Sequence, residues 1–401
     1  MKHATLCLLV LAGLTGCFGK VEPEPSVCPE TAPTCITPSV SCAMPGTVPA
    51  TCDAESRSWS CPSGSSVYAR ESQAASSCSP FSAAGSPFAS LGGSLVRIPV
   101  DGGRCLWVAE TAMTSTGESL RNIGLVPSPS SSFGSCPETS TFGGGAPTPV
   151  VEIEGVSDST LLVQVDGGFV LPGGDIRVVY RLFRQDATQV YGVTLLGGGF
   201  GRWDASAQRI VVPGVDGLLW DPTIDPGDAS LVVDGTPYIW GCHAPEQFLT
   251  YPCAVARASE SGLEYLTLGG NWAADAAVSD TATAFSSGPW ISSVVPSSAG
   301  GLAHVYAVGF GSTLEVDTAP SVLGPWTAGP TLARCDLPAS DPHAFCAGPV
   351  VHEELMDPTR PDEWVVSYGL GTTDATAGST AASATLSTSY WTKLAWVTST
   401  P

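Results

Sequence analysis

Between residues 91 and 397 no stretch keeps an apolar period of 3.6 residues over several turns. Short runs of Val, Leu, Ile, Tyr and Trp are instead cut by Gly, Pro, Asp and Ser. This texture excludes a helical core and predicts strands at 94–100, 105–110, 161–165, 176–183, 190–196, 209–212, 230–233, 237–240, 302–310, 313–318, 364–368 and 390–397. So many short strands with frequent turns fit a sandwich, a barrel or a propeller. Length favours the propeller, because about three hundred residues at roughly 40 to 60 per four-stranded blade make five or six blades. Gly288-Pro289-Trp290 recurs as Gly324-Pro325-Trp326 and a C-x10-C loop occurs twice, but WD and kelch signatures are missing.

The amino terminus carries a different message. Met1-Lys2-His3 precedes an apolar stretch at 4–13 broken only by Thr5, and the stretch ends at Leu14-Thr15-Gly16-Cys17, too short to span a bilayer. It resembles a bacterial lipoprotein signal. The resemblance implies cleavage after Gly16, removal of residues 1–16 and lipidation of Cys17, and several acyl chains anchor more durably than one. Phe18 follows, where the resembled sorting pattern reserves aspartate for retention in the inner membrane. The expected address is therefore the outer membrane or cell surface of a Gram-negative bacterium.

Charge is sparse and one-sided: 37 acidic residues face 16 basic ones for a net charge of -21. Such a surface repels polyanions and excludes nucleic acid as a partner, while leaving neutral ligands open. Of 14 cysteines, Cys7 leaves with the signal and Cys17 takes lipid, so an even dozen remain. An exported chain uses an even set for disulfides, and the C-x2-C spacing of zinc sites is absent. Cys105 with Cys136, Cys242 with Cys253 and Cys335 with Cys346 are the near-neighbour pairs. Cys28, Cys35, Cys42, Cys52, Cys61 and Cys78 lie in a Pro-, Ser- and Thr-rich stretch with almost no apolar periodicity. Residues 17–86 therefore read as a lipid-anchored stalk held by its own bridges, and residues 87–401 as the body.

The carboxy-terminal half resembles a known family. A Tyr-x-Trp-x-Cys strand at 238–242 is followed by Cys253-Ala254-Val255-Ala256-Arg257, then by Ser287-Gly288-Pro289-Trp290 and an aromatic strand through Tyr306 and Phe310. Asp317-Thr318-Ala319-Pro320 leads on to Gly324-Pro325-Trp326, Cys346-Ala347-Gly348-Pro349 to His352, and the run 364–368. This order resembles the five-bladed β-propellers related to arabinanases and xylosidases, in particular a bacterial domain of unknown function that includes some endo-D-arabinanases. The resemblance implies an all-β, five-bladed propeller that hydrolyses or binds an extracellular polysaccharide.

Glycosidases of this architecture need two carboxyls, one to protonate the leaving oxygen and one to activate water or attack carbon. Glu110 follows Leu106-Trp107-Val108-Ala109 where the resembled family often has Gly-Asp-Thr, so the carboxylate is kept but lengthened by a methylene. Asp228 is the second candidate carboxylate, and His352 would line the funnel and donate to substrate or hold a water. The alternative for Glu110 is a turn carboxylate, and for His352 a satisfied buried histidine; Met356 stands where a metalloprotease motif needs its second histidine. Asp221, Asp225 and Asp228 crowd one loop, where Ca2+ is the one cofactor in question, although an EF-hand pattern is absent. An acidic turn explains the same residues, and no other metal site is expected. Gly197 to Gly201 lacks phosphate-loop and dinucleotide spacing and reads as a tight turn between strands. Trp240, Trp272, Trp290 and Trp326 either stack on sugars or pack between sheets, with packing the reading for Trp326.

Three function classes follow: a glycan-active enzyme, a non-catalytic module that binds glycan or envelope protein, and a structural lipoprotein. The chain is expected to be a monomer tied to the membrane by its lipid.

Overall fold

The computed structural model describes residues 28, 31–53, 55–70, 77–78, 88–127, 132–156, 158–188, 192–220, 223, 225–243, 251–259, 262–274, 276–287, 291–372 and 393–398. These residues are all-β, with four 3-10 turns and no α-helix. Cys17 and the proposed signal lie outside them.

Five sheets carry the body. The first runs outward through Phe88–Val100, Arg104–Thr114, Ser119–Pro127 and Thr139–Thr141. In the second, Leu161–Val170, Ile176–Gln185, Val193–Asp204 and Arg209–Val212 form a meander, and Val151–Ile153 adds a parallel edge. The third begins with Asp225–Val233, Thr236–Cys242 and Tyr251–Ser259, and the fourth holds Ser293–Pro296, Leu302–Ala307, Thr313–Ala319 and Thr327–Arg334. The fifth holds Ala344–Val351, Glu363–Thr372, Lys393–Thr398 and the distant Ser77–Cys78. The first strands touch in order around the set, and Ala344–Val351 returns to Phe88–Val100. The five sheets therefore form a closed ring.

Apolar packing explains both the ring and the run-like sequence signal. A sheet between two neighbours buries both faces, so alternate residues of one strand serve different cores. Val178, Tyr180 and Leu182 join the core between the first and second sheets, while Val179 joins the one between the second and third. Glu363–Thr372 is buried along almost its whole length for the same reason. Further cores fill the gaps between the third and fourth, fourth and fifth, and fifth and first sheets.

The amino-terminal stretch is not a free-standing stalk. Residues 34–67 form a small sheet of Thr34–Thr37, Gly46–Pro49 and Ser66–Val67. Arg70 then reaches Asp357 at 2.9 Å and Glu363 at 2.6 Å, and Tyr68 donates to Asp357 at 2.8 Å. Ser77–Cys78 completes the fifth sheet by pairing with Lys393–Thr398. The disulfides agree: Cys28–Cys52 and Cys35–Cys61 stay within the stretch, but Cys42–Cys105 and Cys78–Cys136 leave it. This corrects the expected Cys105–Cys136 pair. Nearness in sequence is a poor guide here, because both cysteines face a segment that folds back onto the closing seam. Cys242–Cys253 and Cys335–Cys346 are paired as expected.

Candidate functional site at the centre of the ring

The first strands break register at matching places: Gly92/Leu95, Val165/Gly167, Pro226/Ala229 and Ala347/Val350. Bulges bend a strand and re-aim its side chains, and these pack on one another. A Cβ on Gly348 would strike Ser94 Oγ, one on Gly227 would lie 2.9 Å from Asp166 Oδ2, and one on Gly369 would lie 3.2 Å from the Gly93 carbonyl. The fourth sheet contributes Ile291 to Ser293 at this level. The hydroxyl of Ser293 donates to the Pro349 carbonyl at 3.2 Å and accepts from the Val351 N–H at 3.0 Å. Strands of the first and fifth, second and third, and fourth and fifth sheets thus approach one another closely at this level.

Glu110 lies opposite the first bulge, between the pairs Thr111↔Gly92 and Ala109↔Leu95. Gly93 has φ +74 and its missing Cβ leaves the space that the Glu110 carboxyl occupies. Part of the Glu110 surface stays open. Burial pushes its carboxyl above the usual range, against the pull of Arg121, Arg181 and the Ser94 backbone N–H. Asp166, in the second bulge, was not anticipated. Arg181 holds it through Nε at 2.9 Å and Nη2 at 2.7 Å, with the acid's side chain wholly buried. Its only sequence signal is a lone acid inside an apolar strand, followed by an arginine in the next.

Asp225 and Asp228 stand in a strand rather than a loop, with Gly227 and Asp228 forming the third bulge. Gly227 contacts Asp166, so the backbone at 227–228 belongs to the centre. The side chains of Asp225 and Asp228, and the whole of Asp221, lie outside the described residues, as does Trp290. His352 does not line an open funnel. It is fully buried, with Nδ1 2.9 Å from Glu354 Oε1, Nε2 2.8 Å from Ser367 Oγ and the ring 4.6 Å from Trp107. Trp107 donates to Glu354 at 2.6 Å, and Arg97 donates to Glu354 at 3.1 Å. The expected funnel residue is therefore part of a polar network in the seam between the fifth and first sheets. Burial lowers the His352 pKa despite Glu354, and Arg97 adds to the lowering.

The glycine run at 197–201 is also strand, inside Val193–Asp204. A Cβ on Gly198 would collide with the Trp220 indole, so glycine here admits a bulky neighbour. Trp240 is fully buried and packs with Phe285 and Trp326. Trp272 carries Arg257 over its ring at 5.0 Å. These contacts are packing contacts.

No protein-family model and no curated protein matches the chain. Among solved structures, a GH43_1 enzyme from Xanthomonas citri complexed with xylose is 14% identical, with a TM-score of 0.45 over 80% of this chain and 90% of that one. CoXyl43, a GH43 β-xylosidase/α-arabinofuranosidase from a compost microbial metagenome, is 11% identical, with a TM-score of 0.45 over 81% of this chain and 94% of that one. An α-L-arabinofuranosidase from Lactobacillus brevis is 8% identical, with a TM-score of 0.40 over 76% of this chain and 90% of that one.

Proposed function

We propose that the chain is an envelope lipoprotein, anchored through Cys17, whose ring is a five-bladed β-propeller that binds a neutral extracellular polysaccharide at its centre. The observation carrying this reading is Glu110: a carboxyl with raised pKa, on a residue that keeps part of its surface exposed, against the bulge of the first strand. A protonated carboxyl donates a hydrogen bond to a sugar hydroxyl without placing a new charge in the site. Binding is favoured over cleavage because Asp166, the other central acid described, is locked by Arg181 and sealed from solvent. Hydrolysis is the second reading, favoured by the same raised pKa, with Glu110 as proton donor and Asp228 as the second carboxylate.

Titration calorimetry and reducing-end release on arabinan, xylan and arabinogalactan separate the two readings. The binding reading expects affinity for one glycan, weakened at least about tenfold in E110A but kept in E110Q, whose amide still donates, with no sugar released; a single lost hydrogen bond to a buried group accounts for that size. Release abolished by both E110Q and D228N establishes hydrolysis instead. Neither affinity nor release with any glycan overturns both.

A further inference from the structure

The fourth sheet contributes something different to the centre. Ser292, immediately before Ser293–Pro296, places Oγ 2.9 Å from His304 Nε2. His304 stands directly opposite Asp317 in the register of Leu302–Ala307 with Thr313–Ala319. Its other nitrogen, Nδ1, faces Asp317 Oδ2 at 3.8 Å and has no hydrogen-bond partner among the described residues. The imidazole is clamped between Phe285, with ring centres 3.7 Å apart, and Tyr306 at 4.7 Å, and Trp326 meets it edge-on. Tyr306 donates to Asp317 Oδ1 at 3.3 Å, which orients the carboxylate toward the ring.

Each group faces the atom that nucleophilic catalysis by serine requires. The hydroxyl meets Nε2, the carboxylate meets Nδ1, and the stacked rings prevent the imidazole from turning. A purely structural histidine with an Nδ1–H left unpaired in the core would be destabilising, whereas a relay tightens this contact as charge develops. We propose that Ser292, His304 and Asp317 form an acyl-transfer relay, acting on a carboxylic ester carried by the bound polysaccharide. The substrate class rests on the function proposed above; the reactivity of Ser292 does not.

Ser292 Oγ attacks the ester carbonyl carbon and its proton passes to His304 Nε2. As the C–O bond breaks, that proton goes to the departing sugar oxygen. Water, deprotonated by the same nitrogen, then releases the carboxylic acid and restores Ser292. Asp317, 3.8 Å from Nδ1, stabilises the positive charge that develops on the imidazole as Nε2 takes the proton. Ser292 is only 3% exposed, so an acyl group reaches it only as the side chains packed around it give way.

The test is reaction of the folded, disulfide-bonded protein with a small alkyl fluorophosphonate, with the adduct mapped by mass spectrometry. A single adduct on Ser292, absent in S292A, is expected. Its rate should rise with pH as His304 loses its proton, and D317N should slow it more than about tenfold. No adduct on Ser292 in the wild-type protein overturns the proposal, as does an unchanged rate and pH profile in D317N. The reagent needs no glycan, so failure to bind polysaccharide and failure to label Ser292 are separate results.

Discussion

Two glutamates have pKa values shifted in opposite directions, Glu110 in the first sheet and Glu354 in the turn that follows the first strand of the fifth. Glu110 has a raised pKa, so at neutral pH the native state resists an ionisation that the unfolded chain accepts. Its stability deficit appears as pH rises above the ordinary carboxylate range and is absent in acid. E110Q is therefore expected to raise the thermal midpoint at pH 7 and leave it unchanged at pH 4, read by calorimetry. Glu354 is the reverse case: burial alone would raise it, but His352 and Arg97 hold it down to about 2. E354A removes the buried carboxylate that Arg97, Trp107 and His352 share, leaving Arg97 with Glu353 and His352 with Ser367, and should cost about 3 kcal/mol in denaturant unfolding. The sequence offered Glu110 because an acid directly after an apolar strand is visible locally. Asp166 and Glu354 were not legible as site or seam residues, because their partners lie on other strands or on another sheet.

At the scale of strands, the runs read from apolar clustering became strands with small boundary shifts, as Arg209–Val212 and Thr313–Ala319 show. The glycine run failed because glycine signals turns by default, whereas Gly198 makes room for Trp220. G198A should accordingly destabilise by about 1 to 3 kcal/mol, the usual range for overpacking, with the fold retained by circular dichroism. The disulfides divide in the same way. Cys242–Cys253 and Cys335–Cys346 each join residues 11 apart, so their local bridges were readable from spacing. Cys42–Cys105 and Cys78–Cys136 span separations of 63 and 58, and only the folded ring brings their ends together.

At the scale of the whole molecule, the cysteine-rich amino-terminal stretch is the clasp of the ring. It supplies the last strand of the fifth sheet, two long-range disulfides and the Arg70 contacts. A chain beginning at residue 87 is expected to unfold at a lower temperature than one that keeps residues 28–86, whereas simple removal of a stalk would leave the midpoint unchanged. Acid should loosen the same seam, since His352 and Glu354 both have depressed pKa values. The unfolded chain takes up protons at His352 below about 6.5 and at Glu354 below about 4.5 that the native state refuses, so stability falls with pH through both windows. Rising Trp107 emission wavelength on acidification would report the opening; a seam unaffected between pH 7 and 4 would refute it. The sequence by itself determined an all-β body, its strand-rich runs and its cysteine parity, because these depend on neighbours within a few residues. Tertiary structure alone decided which cysteines cross the seam, that His352 is sealed within it, and that Ser292, His304 and Asp317 meet. Apart from the local His352–Glu354 contact, these join residues 12 to more than 200 positions apart, and no local pattern records which distant face a side chain will find.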